Sequence, residues 1–262
     1  MSLSAESVIE ASNAWSWIPD NATTAETDEY LLVRFPDYFN HQLELTRFSP
    51  AAGRPVEAAV AAVLNRARQF AVPDLYWMVR LDSPPGVADL LGPQAKLEVT
   101  LDVLALDLRH GAPELPASAR DVDVRWATDV ATARDASQVG VDVFGGSMPS
   151  QERLAENAER DTATVAAGEG GMLVAYADGI PVGSGGVTIV DGVARLWGGS
   201  VMKAARGQGV YRAVLATRLA YGVAHGATMA LVKGRVETSG PILRRAGFAA
   251  FGQERIYHVP LT

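Results

Sequence analysis

Between Leu196 and Tyr211 the chain reads LWGGSVMKAARGQGVY, and its pattern changes period partway through. Leu196 to Met202 has the composition of a strand. From Gly207 onward Val210, Val214, Leu215, Leu219 and Val223 fall four apart, with Leu215 beside Val214, as the buried side of a helix does. A strand that ends in a short loop and opens a helix with Arg206-Gly207-Gln208-Gly209 commits this part of the chain to a layered α/β architecture. It also gathers unpaired backbone N–H groups and the positive end of a helix dipole at one spot. Glycines let a bound group approach the main chain closely, and Arg206 adds a charge. Such a turn suits a pyrophosphate. A glycine pair ahead of a helix is equally an ordinary cap, and the glycines alone do not choose between the two.

The remaining segments extend the same architecture. Leu31–Phe35, His41–Phe48, Leu75–Val79 and Leu97–Leu108 read as strands, with a helix from Pro55 to Phe70 and a short one at Val87–Leu91. Further on, Val122–Trp126, Gly171–Ala177, Pro181–Val190 and Ala194–Met202 read as strands, and Gly179 and Asp191-Gly192 mark tight turns. Thr128–Val141 and Pro149–Arg160 read as helices. The helix from Gly207 runs to about Ala224; a strand at Thr228–Val232, a helical turn at Gly240–Arg245, and strands at Gly247-Phe248 and Arg255–Val259 close the chain. Residues 1–28 read as a polar arm, and residues 111–121, with Gly111, Pro113 and Pro116, as a linker. That gives one domain over 29–110 and another over 122–262.

The two halves share a rhythm. An offset of 154 sets Gly53-Arg54-Pro55-Val56 on Gly207-Gln208-Gly209-Val210, Trp77 on Leu231, Val87–Leu91 on Pro241–Arg245, and Leu104 on His258. Either two ordinary α/β segments coincide, or one fold has been duplicated and one copy has degenerated. The first half lacks the second glycine that would help to hold a phosphate.

Composition removes several chemistries. The 262 residues carry 23 basic and 30 acidic side chains, a net charge of −7, which argues against a broad nucleic-acid surface. There is no cysteine, hence no thiolate nucleophile and no disulfide. The four histidines, His41, His110, His225 and His258, have no metal-ligand spacing, so no metal is expected. No signal sequence and no apolar run of about 18 residues is visible, so the expectation is a cytoplasmic protein without membrane contact. The G-x-x-x-x-G-K-[ST] loop is absent, and Gly207-x-Gly209 does not continue into a dinucleotide fingerprint.

Residues 122–262 resemble the GNAT acetyltransferase superfamily. Its Q/R-x-x-G-x-G/A acyl-CoA motif corresponds to Arg206-x-x-Gly209-x-Tyr211, with a departure at the last position. Thr238-Ser239-Gly240-Pro241-Ile242-Leu243-Arg244-Arg245-Ala246-Gly247-Phe248 resembles the family's fourth helix and closing Gly-Phe. The first half is similar to the degenerate domain of tandem members. The resemblance implies a mixed, mostly antiparallel sheet flanked by helices, in two copies, and acetyl-CoA as acyl donor with no metal. It implies that an amine, on a small molecule, attacks the thioester directly. Gly199, Ser200, Val201 and Met202 would lie along the pantetheine arm, with a backbone N–H near Val201 facing the oxyanion. Arg206, Gly207, Gln208, Gly209, Val210, Tyr211 and Arg212 would hold the pyrophosphate, with Ser239 a further contact. The family's usual acid, a tyrosine four residues before the closing glycine, is Leu243 here; Tyr211 and Tyr257 are substitutes by residue type, each also readable as packing. Glu237 is the candidate base, and equally a solvated loop carboxylate. Asp142, Glu152 and Glu156 fall in the region that walls the acceptor pocket. His225 reads as a favourable charge at a helix C-terminus, His258 as structural, and Arg244 and Arg245 as 3′-phosphate contacts or surface charge. The alternatives are a non-catalytic acyl-CoA sensor, transfer to a protein N-terminus or lysine, and transfer of a longer acyl group. The expected state is a monomer or homodimer.

Overall fold

Alternation builds the strands, and the computed structural model, which describes residues 3–118 and 120–261, shows where each alternation points. The chain divides into two compact units. The first comprises Leu104–Lys233 and Leu243–Ala249; the second comprises Ser4–Val103, Gly234–Ile242 and Ala250–Thr262.

In the second unit, Leu43 and Leu45 are fully buried while Glu44 between them is not. Strands β1 (Thr23–Glu26), β2 (Tyr30–Arg34) and β3 (Leu43–Phe48) pair antiparallel in sequence. β3 then pairs parallel with β4 (Asp74–Val79), a connection that needs a crossover, which α2 (Val56–Arg68) provides. α2 buries Ala59, Val60, Val63 and Ala67, one stripe, against Leu43, Leu45, Leu75 and Trp77. The residues expected to form a polar arm instead contain a helix, α1 (Ala5–Asn13), and the edge strand β1. Ser4 caps α1 by accepting from Ser7 N at 3.1 Å, and Val8 and Ser12, one turn apart, are buried. The Ser12 hydroxyl donates to the buried Glu254 at 3.0 Å.

In the first unit, β6 (Asp123–Trp126), β7 (Gly170–Ala177), β8 (Ile180–Val190) and β9 (Val193–Val201) form an antiparallel run, and β9 pairs parallel with β10 (Met229–Arg235). Both hairpin turns, Asp178-Gly179 and Asp191-Gly192, hold two successive residues at positive φ, the mirror-image turn that matches strand twist. Helices α3 (Val130–Phe144) and α4 (Gln151–Ala166) precede β7, and α5 (Val210–Ala224) joins β9 to β10. α5 begins three residues later than the sequence pattern suggests, because Gly207 (φ +77°) and Gly209 (φ +90°) lie outside the right-handed helical region. Its buried face is Val210, Val214, Leu215, Arg218, Leu219 and Gly222; Val223, expected there, is only half-buried. No helix among the described residues is long and apolar enough to cross a membrane.

The expected cut at residues 111–121 is not where the units part. The last strand of the first sequence half, β5 (Lys96–Asp107), runs across the division, giving Leu104–Asp107 to the first unit. The last strand of the second half, β11 (Ala249–Pro260), lies almost wholly in the second unit, where it pairs antiparallel with β4 from Arg255–Val79 to Pro260–Asp74. α6 (Ser239–Arg245) straddles the division as well.

Candidate functional site

The β9–β10 ladder runs from Val193–Met229 only as far as Leu196–Val232. β9 continues for five more residues, Trp197 to Val201, held on its other side by β8. There the register slips: Gly186 faces Trp197, and Ser184 faces Ser200, so Gly198 and Gly199 together oppose Gly185. This is a β-bulge, with Gly198 exposed at φ +60°. Beyond it the Ser184 and Ser200 hydroxyls meet at 2.8 Å and Met202 N donates to Val182 O at 2.9 Å, so the strand is firmly seated as it reaches the turn.

The turn holds most of the residues singled out in the sequence. After Met202, Lys203–Ala205 form one tight helical turn, and Arg206 to Gly209 lead into α5. Ala213 N donates to Gly209 O, the first helical bond, which leaves the N–H groups of Val210, Tyr211 and Arg212 without helical acceptors, and no side chain caps the helix. Lys203, Arg206, Arg212 and Arg120 surround the turn, a concentration of positive charge in an acidic chain. Arg206 Nε donates to Val201 O at 3.2 Å, and Gln208 Nε2 to Ala204 O at 2.9 Å.

What the sequence did not show is that the linker lies on this turn. Ser118 Oγ donates to Gln208 O at 2.7 Å, Arg120 Nη1 to Gln208 Oε1 at 2.9 Å, and Arg212 Nη2 to Ala117 O at 3.4 Å. Arg120 also pairs with Asp178. A Cβ at Gly209 would stand 2.6–2.9 Å from Ser118 atoms, so this glycine is required by a close approach, and the approaching group is the chain's own serine. Ser118 thus occupies the space above Gly209.

The other candidates are placed as follows. Tyr211 is half-buried, its ring against Gly199. Leu243 is fully buried in apolar surroundings with Leu104, Leu215 and Phe248. Glu237 and Ser239 belong to the second unit; Glu237 is exposed, and Ser239 Oγ accepts from Arg235 N at 2.8 Å. Asp142, Glu152 and Glu156 are exposed, Glu156 paired with Arg153 at 2.8 Å. His225 sits at the C-terminus of α5 with Nδ1 2.9 Å from Tyr221 O. His258 pairs with Asp74 at 2.7 Å, Tyr257 packs against the second unit's core, and Arg244 and Arg245 are exposed.

Several buried charged residues escaped the sequence reading, among them Asp161 and Arg218 of the first unit. Asp161, on α4, accepts from Met172 N at 3.1 Å, and burial holds its carboxyl above the usual carboxylate range. Arg218, on the apolar face of α5, is 1% exposed, and burial lowers its pKa. Its signal was available: a charged residue at a stripe position, between Val214 and Leu219.

In the first half, Gly53 (φ +81°) repeats the left-handed conformation of Gly207, but Pro55 stands where Gly209 does. Proline has no N–H and cannot adopt positive φ, so the second unit has no equivalent turn.

Residues 143–248 match the family model described as the Acetyltransferase (GNAT) family. No curated protein matches the chain. Among solved structures, a GCN5-related N-acetyltransferase from Kribbella flavida is similar over 99% of this chain and 96% of its own, at 19% identity and a TM-score of 0.64. A GCN5-related N-acetyltransferase from Sphaerobacter thermophilus is similar over 98% and 86%, at 16% identity and a TM-score of 0.67. A tandem GNAT protein from the clavulanic acid biosynthesis pathway is similar over 89% and 78%, at 18% identity and a TM-score of 0.60. At these identities the likeness is one of fold.

Proposed function

We propose, from the match of residues 143–248 to the GNAT acetyltransferase family model, that the first unit binds acetyl-CoA along the open end of β9 and transfers the acetyl group to an amine. The observation that carries this reading is the ladder that stops at Leu196–Val232, leaving Trp197–Val201 to run past a bulge into a glycine turn with uncapped N–H groups. Strand-like pairing along Gly199–Val201 offers main-chain partners to the amides of the pantetheine arm. The N–H groups of Val210–Arg212, with Arg206 and Arg212, suit a diphosphate. A backbone N–H near Val201 would face the oxyanion as the amine adds to the thioester carbon, where fixed donors contribute most. The amine nitrogen forms the new bond directly, so no nucleophilic side chain is needed, consistent with a chain that has no cysteine. Exposed Asp142 and Glu152 favour a cationic acceptor, and we propose a small primary amine.

A second reading is a non-catalytic acyl-CoA sensor. The buried Leu243 and the seating of Ser118 on Gly209 favour it. The first experiment is a thermal shift with acetyl-CoA, CoA and NAD at one common concentration of about 1 mM, where a ligand selective for the folded state and present at about 100 times its Kd stabilises by about 2.7 kcal/mol. The proposal expects a shift with both CoA species and none with NAD. No shift with either CoA species removes both readings. Binding without thiol release across a panel of amines leaves the sensor.

A further inference from the structure

Arg218 is one of the largest fully buried side chains of the molecule. Its Nε donates to Val214 O at 3.3 Å, and Nη1 to Gly186 O at 3.3 Å and Trp197 O at 3.4 Å. Those two carbonyls flank the bulge on β8 and on β9. Nη2 has no hydrogen-bond partner. Among the described residues no carboxylate pairs with this guanidinium; the titratable group facing it is Tyr211, whose hydroxyl favours the charged guanidinium by charge and hydrogen bonding and whose ring centroid lies 5.9 Å from Cζ. A leucine at this position would continue the stripe of α5 with no charge to bury.

The glycines around Arg218 point the same way. A Cβ on Gly185 would stand 3.2 Å from Nη1, and one on Gly199 would stand 3.6 Å from Nη2 and 3.1 Å from the Tyr211 ring. Gly199, without a side chain, is therefore the thin wall between a buried cation and the open end of β9, and its neighbour Gly198 is exposed. If a diphosphate sits at the α5 turn and the arm runs back along Val201, Ser200 and Gly199, its sulfur end arrives at this bulge.

We propose that Arg218 is the fixed cation that stabilises the CoA thiolate as the thioester breaks, acting across Gly199; this rests on the reading of the first unit as an acetyl-CoA site. The amine nitrogen forms a bond to the acyl carbon, and the carbon–sulfur bond breaks with its electron pair going to sulfur. The nitrogen loses its proton to water. The thiolate stands against Arg218 until water protonates it. Charge buried in a low-dielectric site acts on a nearby anion far more strongly than charge in water.

The test compares CoA with desulfo-CoA, which lacks the ionisable sulfur, by calorimetry at pH 7 and about a unit above the ordinary thiol pKa of about 8.5. Two variants separate charge from packing. Arg218→Gln keeps a donor for the bulge carbonyls without the charge, and Arg218→Met keeps the packing of the stem with neither donor nor charge. In the wild type the preference for CoA over desulfo-CoA should grow on the order of tenfold between the two pH values, as the 1.4 kcal/mol of one pKa unit implies. Both variants should lose that growth. With an active amine, Arg218→Gln should also lower kcat on the order of a hundredfold at little cost in KM for acetyl-CoA. A purely structural Arg218 weakens both ligands alike and leaves their ratio as in the wild type in both variants, which overturns the proposal. If the wild type binds neither ligand, the acetyl-CoA reading fails first and takes this one with it.

Discussion

At φ +90° Gly209 occupies a conformation that side-chain-bearing residues avoid, and Ser118 stands where a Cβ would go. The two constraints separate by mutation. Gly209→Ala should destabilise the first unit by about 1–2 kcal/mol from backbone strain alone, and by more from the collision. Adding Ser118→Gly should recover the part of the collision due to the serine Oγ and Cβ and leave the strain and the contact with the backbone Cα, a coupling readable from urea midpoints in a double-mutant cycle. The glycine turn itself was legible from Arg206-Gly207-Gln208-Gly209, because glycines before a helix act locally. That Ser118, about ninety residues earlier, meets it was not legible, since no local pattern encodes a non-local contact. Arg218 was missed for a different reason. Periodicity assigns a face to apolar residues only, so a buried cation on that face looked like an interruption.

Strand types and order followed from alternation and turn chemistry, and the mirror-image turn at Asp191-Gly192 appeared where its dipeptide placed it. The bulge on β9 was not legible, since Gly198-Gly199 fits a regular strand end as well as a slip in register. In the second unit the polar face of the sheet carries a cluster reaching β3, β4 and β5. His41 Nδ1 lies 3.4 Å from Glu44 and Nε2 lies 3.2 Å from Glu98, and the ring stacks on Tyr76 at 3.7 Å. Burial alone would lower the His41 pKa, but the bonds and charges of Glu44 and Glu98 raise it above its ordinary 6.5. A histidine that binds its proton more tightly when folded adds stability that is fully present below its unfolded value. That stability fades as pH rises through the folded value. Denaturant midpoints should therefore differ most between wild type and His41→Gln below about pH 6.5 and converge at higher pH. Parallel curves would mean that His41 contributes through stacking alone.

At the scale of the molecule, the two halves open helices 154 residues apart and their closing strands 153 residues apart. Val56 and Val210 both open helices, and β5 and β11 both close their halves, beginning at Lys96 and Ala249. The sequence divided the chain at residues 111–121, whereas β11 pairs with β4 and Leu104–Asp107 belongs with the first unit. Sequence reasoning sees which strand follows which and not which strand it bonds to, so an exchange of closing strands is invisible to it. It follows that residues 1–116 and 122–262, expressed separately, should each fail to give a cooperative thermal transition. The first lacks the strand that covers β4, and the second carries β11 without β4. Mixed or co-expressed, the two pieces should recover the transition. A cooperative melt from either piece alone would show that the closing strand is dispensable.

That exchange also sets a schedule. On a ribosome adding about 5–20 residues per second, β4 emerges long before β11, and the intervening stretch from Val79 to Ala249 takes on the order of ten seconds or more to synthesise. For that interval one edge of the earliest-made sheet has no β11 to bond with, and an unpaired edge is a template for other chains. The second unit, begun first, is therefore finished only when the last strand arrives, and the newborn chain has most need of a holding chaperone during that wait.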